Sequence, residues 1–270
     1  MPTLMVGDLH VKHEYILPYV DAAIDRTESD RVVFLGDSCD DWGVTESYML
    51  RALNFFAGWV DEKRDGGVRI DVLLGNHDFC YLVGRMGPGT KLGIAADIRE
   101  LLLDRIGVQL ATVVDGYLCS HAGLCEAWSN ECLGVSEFPT AKIAAEALST
   151  MFSEGLNLAD FYRAGPYRGG IGNPSPLWAD LGELCEDYAP GFSQIVGHTP
   201  IDTVQCRYAG EDNELQLWFC DTFSLYGDGR TIGDGSMLLV EDGCCAPVPF
   251  CPGKRREYSD VAYGYTTDVW

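Results

Sequence analysis

The chain of 270 residues contains five short apolar runs, and each run ends in a cluster of glycine and polar residues. An apolar run of this length that stops at glycine predicts a buried strand followed by a loop. Open α/β sheets bind ligands at such strand ends, so the five loops are expected to meet in space. The loops are Gly7-Asp8-Leu9-His10, Gly36-Asp37, Gly75-Asn76-His77-Asp78, Ser120-His121-Ala122-Gly123 and Gly197-His198.

The side chains in these loops are the donor set of a site for two divalent metal ions. Two metals about 3.5–4 Å apart can hold the attacking and the leaving oxygen of a phosphoryl displacement. Metals that close together need a bridging anion, and a carboxylate serves well. Mixed aspartate, asparagine and histidine donors suit Mn, Fe or Zn better than Ca or an all-oxygen Mg site. Four of the five histidines lie in the loops, and the fifth, His13, follows His10 by three residues.

Each motif taken alone is weakly informative. An Asp-x-His at a strand end is more often a capped turn than a ligand pair, and a single histidine after a strand is usually structural. A Gly-Asp after an apolar run is usually a turn as well. The combination of all five in one chain is what favours a metal site over these alternatives.

The order and form of the motifs resemble the calcineurin-like metallophosphoesterase superfamily. Its pattern is D-x-H, G-D-x-x-D, G-N-H-D/E, a later histidine and then G-H, and the match spans residues 5–199. Many members carry a second histidine shortly after the last motif, whereas Pro200 follows Gly197-His198-Thr199 here. This points to the branch that contains protein Ser/Thr phosphatase-like and diadenosine tetraphosphatase-like proteins.

The resemblance implies a role for each matching residue. His77 would be the general acid that protonates the leaving oxygen, or a donor to the phosphate, and Asp40 would orient it. A carboxylate partner would raise the pKa of His77 and keep it protonated near neutrality, as a general acid requires. The alternative for Asp40 is a solvated acidic turn. The implied metal ligands are Asp8 and His10 for the first ion, Asp37 as the bridge, and Asn76, His121 and His198 for the second ion.

The chain departs from this branch where arginines would grip the phosphate. Asp41 stands in the place of one such arginine, and Asp180 in Trp178-Ala179-Asp180 stands in the place of another. Arg163 and Arg168 are the nearest substitutes, and ordinary surface arginines are the alternative reading. The losses make phosphoprotein phosphatase activity doubtful and leave the metal site intact. Several aromatic residues are candidates for pocket walls, although core packing is the commoner role for each: Trp42, Tyr81, Trp128, Tyr162, Tyr167 and Trp178.

The net charge of −22 limits the classes of partner. It repels nucleic acid phosphates and disfavours a bulky polyanion. We therefore expect a phosphorylated small molecule, a nucleotide or a phosphoprotein as substrate. No oligomeric state is indicated.

Composition indicates a cytoplasmic protein with a sizeable core, since 47% of the residues are apolar. Every apolar run is much shorter than the about 18 residues that a membrane span requires. No basic region followed by an apolar stretch marks a signal peptide. The eleven cysteines are scattered without a Cys-x-x-Cys motif, which favours a reducing compartment.

Apolar runs and helical spacing predict a layout of strand–helix units followed by further strands. This order suits two facing sheets with helices outside, and the resemblance implies the same α/β (α+β) fold, a four-layer αββα sandwich of two mixed sheets flanked by helices. Strands are expected at 3–7, 31–35, 69–74, 108–114, 116–120, 194–197, 202–208, 214–220 and 236–241, and helices at 14–26, 45–60, 94–105 and 140–152.

We expect one domain over residues 1–270. Within it, the segment 124–192 shows one clear helix and otherwise aromatic, glycine- and proline-rich loops, so it is predicted to be an insertion that covers the active site and sets specificity. The stretch 84–93 is predicted to be a loop, and the tail from Gly253 is charged and then aromatic.

The preferred hypothesis is a metal-dependent phosphoesterase that hydrolyses a phosphomonoester or a small nucleotide-type phosphate through a hydroxide bridging two metals. A phosphodiesterase or nuclease on the same metals is one alternative, and the missing second histidine and the acidity weigh against DNA. A non-catalytic scaffold is another, although the retained ligands weigh against it. Turnover, rather than bound metal, would separate the enzyme from the scaffold.

Overall fold

Two five-stranded β-sheets face each other in the computed structural model, which describes residues 1–250 of the chain. One apolar cluster joins them, because Met5 and Leu238 of the first sheet pack with Cys119 and Ile195 of the second. Each of these side chains is buried. The predicted pair of facing sheets is therefore confirmed.

Both sheets mix parallel and antiparallel strands. The first has the order β10-β9-β1-β2-β3, in which β1, β2 and β3 are parallel to one another, β9 is antiparallel to β1, and β10 is antiparallel to β9. The second has the order β4-β5-β6-β8-β7, with β5, β6 and β8 parallel. The strands are β1 (Thr3–Val6), β2 (Arg31–Phe34), β3 (Arg69–Val72), β4 (Ala111–Val114), β5 (Tyr117–Ser120), β6 (Gln194–Val196), β7 (Gln205–Ala209), β8 (Leu215–Phe219), β9 (Met237–Glu241) and β10 (Cys244–Val248).

Helices cover the outer faces of the sheets. The first two pack on β1 and β3, and the sixth packs on β4 and β5. Thr45, where the second helix was predicted to begin, is the N-cap residue of that helix, because its hydroxyl accepts a hydrogen bond from the amide of Tyr48. The four-layer αββα arrangement is thus confirmed. The helices are α1 (His13–Thr27), α2 (Glu46–Asp65), α3 (Asn76–Val83), α4 (Ala95–Glu100), α5 (Glu126–Leu133), α6 (Ala141–Ser153) and α7 (Leu181–Glu186).

Four elements were missing from the predicted layout. Helix α3 starts at Asn76, inside the motif Gly75-Asn76-His77-Asp78. Helices α5 and α7 lie in the segment 124–192, where one helix was expected. These three helices are short, so few apolar positions repeat along them. The edge strand β10 contains Pro247, a residue that usually argues against a strand. The predicted helix at 94–105 is present, but its second half, Leu101–Ile106, is a wider π-helical turn.

The remaining expectations concern membrane crossing, the state of the cysteines, the tail and the extent of the domain. Within residues 1–250, no helix has both the length and the apolar character that crossing a bilayer demands. The cysteines of this range are all free thiols. The tail from Gly253 lies outside the described residues. The extent of the domain over 1–270 and the covering role of 124–192 stay predictions.

Candidate active site

The five predicted loops meet at the carboxyl ends of strands from both sheets. Asp8 and His10 follow β1, and Asp37 follows β2. His10 Nε2 lies 3.9 Å from Asp8 Oδ2 and 3.8 Å from Asp37 Oδ2. These three side chains form the first ligand cluster, and their donor atoms are close enough together to share one cation.

A second cluster lies on the other side of Asp37. Its centre is His121 Nε2, which lies 3.4 Å from Asp37 Oδ2 and 3.0 Å from Asn76 Oδ1. His198 Nδ1 lies 3.1 Å from the same nitrogen. Asp37 belongs to both clusters, which is the arrangement that a bridging carboxylate between two metals requires. All six residues predicted as metal ligands are therefore brought together.

Backbone carbonyls select the ring nitrogens that can act as ligands. His10 Nδ1 lies 2.9 Å from the carbonyl oxygen of Asp40, and His121 Nδ1 lies 2.8 Å from that of Leu35. A carbonyl oxygen can only accept, so each Nδ1 carries the hydrogen. In the neutral imidazoles that metal ligation requires, the lone pairs are then on Nε2, the nitrogen that faces the carboxylates.

The loops that carry the site have an unusual backbone. His10, Asp37, Asp40 and His198 all have positive φ, at 42°, 49°, 58° and 65°. Residues other than glycine rarely adopt this left-handed conformation, and each instance costs about 1–3 kcal/mol when it is strained. Four residues of the candidate site have this geometry, which indicates that the loops orient these side chains at the cost of a less favourable backbone conformation.

Two motif glycines are needed because side chains pass close to them. A Cβ at Gly75 would overlap the Asp37 carboxylate, and a Cβ at Gly197 would overlap the Asp8 carboxylate. Each glycine therefore lets the loop that contains it pass close to an aspartate of the ligand clusters. This close approach explains why glycine precedes Asn76 and His198 in their motifs.

The site concentrates buried acidic groups. Burial raises the pKa of Asp8 well above its ordinary value, and the neighbouring carboxylates Asp221 and Asp37 raise it further. Burial also opposes ionisation of Asp37, but His121 and His77 hold its pKa well below the usual range. Carboxylates that are removed from water in this way need nearby positive charge, which divalent cations would supply.

The residues present fit two divalent metal ions. Burial, and then the charge of His121, lower the pKa of His198 well below its ordinary value, so its imidazole is neutral as a ligand must be. Its Nε2 is buried and has no hydrogen-bond partner among residues 1–250. The nitrogen, carboxylate and amide donors of the two clusters suit Mn, Fe or Zn.

His77 and Asp40 lie next to the ligand clusters and face each other, as predicted. His77 Nδ1 lies 3.4 Å from Asp40 Oδ2, and the His77 amide donates a 2.9 Å hydrogen bond to Asp37 Oδ1. Burial opposes the imidazolium charge, but Asp37 and Asp40 outweigh it and raise the pKa of His77 to about 9. His77 is therefore protonated at neutral pH and can donate a proton.

A cavity of about 520 Å³ opens in front of the clusters. His10, Asn76 and His77 reach its floor, and the aromatic residues Trp42 and Trp178 form part of its walls. This volume is within the range of small-molecule sites. The clusters and His77 are thus accessible to a small phosphorylated ligand.

The predicted arginines have different surroundings. Arg168 lines the cavity, where Nη2 donates a 2.9 Å hydrogen bond to the Thr199 hydroxyl and Nε lies 3.0 Å from Asp180 Oδ2. Arg163 is not among the residues that line it, and its guanidinium contacts Asp160 and Glu131. The structure thus places Arg168, but not Arg163, where a phosphate group could be reached.

Comparison with known proteins gives a family. A model of calcineurin-like phosphoesterases matches residues 1–225. The chain belongs to the calcineurin-like phosphoesterase family. This family is metal-dependent and acts on phosphoric ester bonds, so the chain is a phosphoesterase with two candidate metal-ligand clusters.

One solved structure shares this fold at low sequence identity. A cold-active protein-tyrosine phosphatase from Shewanella is 17% identical, with a TM-score of 0.57 over 92% of this chain and 78% of that chain. A protein provisionally named a diadenosine tetraphosphatase is 17% identical, with a TM-score of 0.43 over 93% of this chain and 95% of that chain. No curated protein sequence matches the chain.

Three residues in or beside the candidate site were not identified from the sequence. Lys12 is buried beside the first ligand loop and donates to Asp41. Tyr226 lines the cavity, and Asp221 is buried near Asp8. Asp221 follows β8, so the strand-end signal that identified the other loops was also available for it.

Proposed function

We propose that this phosphoesterase hydrolyses phosphomonoesters of small molecules with two bound divalent metal ions, of which Mn is the first candidate. The observation that carries the proposal is the sharing of Asp37 between two ligand clusters, one with Asp8 and His10 and one with His121. A shared carboxylate supports a two-metal rather than a one-metal site. When bound, the two ions would activate a water molecule and neutralise charge on the phosphoryl oxygens.

The chain itself would supply the proton and the orientation. His77 is protonated at neutral pH and lines the cavity, so it can give its proton to the leaving oxygen. Asp40 would hold the imidazole in place through Nδ1. Arg168 is the one arginine among the cavity-lining residues of 1–250, and it would contact the phosphate group.

The segment 124–192 would shape the substrate site. Arg168 and Trp178 of this segment line the cavity, which supports its proposed covering role. The acidic charge of the chain supports a small substrate over a nucleic acid. Free thiols among the described residues are consistent with the proposed cytoplasmic location.

Turnover after metal exchange tests the proposal. The protein is stripped of metal and reloaded with Mn²⁺, and the hydrolysis of para-nitrophenyl phosphate is compared with that of bis-para-nitrophenyl phosphate. We expect a strong preference for the monoester. A preference for the diester would instead establish a phosphodiesterase, and no turnover of either with metal bound would contradict the proposal.

A variant of the proton donor tests the assigned roles. His77→Asn is expected to reduce kcat by about 10²–10⁴-fold, the usual contribution of general acid catalysis. Its metal content should equal that of the parent protein, since His77 belongs to neither ligand cluster. Loss of metal in this variant would show that His77 has a different role.

A further inference from the structure

The walls of the cavity differ from its floor. Whereas the floor carries the ligand clusters, the rim carries Trp42 and Tyr226, and Leu225 and Ile232 add apolar surface. Trp42 belongs to the loop after β2 and Tyr226 to the loop after β8. The two loops approach each other, because a Cβ placed on Gly227 would lie 3.9 Å from the Trp42 indole.

Trp42 has an unusually open position for such a large apolar side chain. It is 64% exposed, and Tyr226 is 48% exposed. Aromatic rings gain about 0.5–1.5 kcal/mol from stacking beyond the effect of area burial. A flat ligand between the rim residues would bury the Trp42 ring and the exposed part of the Tyr226 ring, which already contacts the Arg230 guanidinium at 5.0 Å.

Charges in the cavity oppose a second phosphate group. The Arg168 guanidinium, the one lysine or arginine side chain among its described lining residues, lies 3.0 Å from the Asp180 carboxylate, and His77 faces Asp40 at 3.4 Å. Asp40 and Asp41 also line the cavity and are acidic. A substrate with further phosphates would bring additional anionic groups towards these carboxylates, and Arg168 and His77, which lie among the described lining residues, already face carboxylates.

We propose that the cavity selects monophosphates whose single phosphoryl group is joined to a flat aromatic body, with Trp42 and Tyr226 stacking on that body. This inference rests on the proposed phosphomonoesterase activity and names its substrate class. The phosphate would lie over the ligand clusters and beside Arg168. The ring would lie towards the rim, where the apolar surface is.

A pair of matched substrates separates ring recognition from chemical reactivity. Benzyl phosphate and n-butyl phosphate both release an alkyl alcohol, but only the former carries a ring. For the Mn²⁺-loaded protein, we expect Trp42→Ala to lower kcat/KM for benzyl phosphate about five- to tenfold more than for butyl phosphate. The difference should appear mainly in KM, because the ring is held away from the reacting atoms.

Two variants control for general damage. Trp42→Phe keeps a ring and should recover most of the preference for benzyl phosphate. Tyr208→Ala removes an aromatic residue with the same 64% exposure on β7, and Tyr208 is not among the residues that line the cavity. This control should keep the parent preference. Equal losses for both substrates in Trp42→Ala would overturn the role of Trp42.

The second part of the inference concerns the number of phosphates. Adenosine 5′-monophosphate and adenosine 3′,5′-bisphosphate present the same ring, and we expect kcat/KM for the bisphosphate to be lower by at least about tenfold, as like-charge repulsion predicts. Equal turnover would overturn the single-phosphate requirement. Phosphotyrosine, tested beside adenosine 5′-monophosphate, identifies which ring is preferred, and a Trp42-dependent KM for either one supports the class.

Failure of this inference is distinguishable from failure of the proposed function. If butyl and benzyl phosphate are hydrolysed equally well and the Trp42 variant affects both alike, the phosphomonoesterase activity stands and ring recognition is refuted. If no monophosphate is hydrolysed by the metal-loaded protein, both are refuted together.

Discussion

The Tyr81 hydroxyl donates a 2.7 Å hydrogen bond to Asp40 Oδ1. The other oxygen of this carboxylate faces His77 at 3.4 Å, so Tyr81 lies directly behind the proposed proton donor and its partner. The Tyr81 oxygen also accepts a 2.9 Å hydrogen bond from the Lys91 amide. Through these contacts the loop 84–93, which lines the cavity at Gly89, is joined to Asp40 and His77.

Removing the Tyr81 hydroxyl should weaken proton donation without removing metal. Tyr81→Phe leaves Asp40 Oδ1 without its donor and frees the carboxylate to rotate, and we expect kcat to fall by about tenfold, as for other outer-sphere partners. The loss should increase as the leaving group becomes more basic, because a poor leaving group depends most on a proton. Rates across a series of aryl phosphates, together with metal analysis, measure both effects.

A second buried tyrosine provides the control for that experiment. Tyr117 lies between the sheets, and its hydroxyl donates a 2.8 Å hydrogen bond to Gln216 Oε1. Tyr117→Phe removes a comparable buried hydrogen bond away from the site and should leave kcat and the leaving-group dependence as in the parent protein. Similar kinetic changes in both variants would contradict a positioning role for Tyr81.

The aspartate at position 41 is tied to a buried lysine. Lys12 Nζ donates a 2.9 Å hydrogen bond to Asp41 Oδ2 and a 3.2 Å hydrogen bond to the carbonyl oxygen of His10. Lys12 is nearly inaccessible to solvent. The pair therefore holds the loop after β1 against the loop after β2, and Asp41 makes this contact at the position where the motif resemblance implies an arginine.

Replacing Asp41 with the arginine that the motif resemblance implies should destabilise this chain. Asp41→Arg places a second cation beside Lys12 and removes its anionic partner, and breaking such a buried pair costs about 3–5 kcal/mol. The change combined with Lys12→Met should recover most of that loss. Denaturant unfolding of the two single variants and the double variant measures the coupling, and additive losses would contradict it.

Metal-free protein should lose stability as the pH rises from 6.5 to 9. Burial opposes charge on His77 and His121, but Asp37 outweighs it and raises both pKa values from 6.5 to about 9. Both groups are more basic in the folded state, so their stabilising effect is complete below pH 6.5 and disappears as the pH passes through about 9.

Thermal melts in EDTA at several pH values check this expectation. The decline in Tm should be smaller with Mn²⁺, since bound metal would replace the His121 proton as the charge that neutralises Asp37. A Tm that stays constant or rises between pH 6.5 and pH 9 in the metal-free protein would contradict the proposed balance of charges.

The ligand clusters were predictable because each motif is a local signal. An apolar run ending at glycine marks a strand end, and the topology of facing sheets brings Asp8, Asn76 and His198 to one edge. Their mutual distances then follow from the fold. The short helices α5 and α7 were not predictable in this way, because tertiary packing rather than periodicity stabilises a helix of so few residues.

Contacts between distant loops could not be predicted from one sequence. Nothing local to Trp42 indicates that it lines the same cavity as Tyr226, and nothing local to Lys12 indicates that its partner is Asp41. Tyr81 illustrates the same limit, because it was a candidate for the pocket wall and is instead buried against Asp40. These contacts depend on which loops the strand order brings together.

The glycine before Asn76 should prove essential for metal binding. A Cβ in Gly75→Ala would overlap Asp37, the carboxylate shared by both clusters, so we expect loss of bound metal and of turnover. Backbone strain is not the reason, since Gly75 has φ −95°, which any residue adopts. Gly58→Ala is the matched control, because a Cβ there meets only Arg105 at 3.8 Å and the helix α2 gains about 1 kcal/mol. Metal analysis and turnover of both variants decide the matter: a Gly75→Ala protein that keeps full metal content would show that Asp37 does not need this close approach.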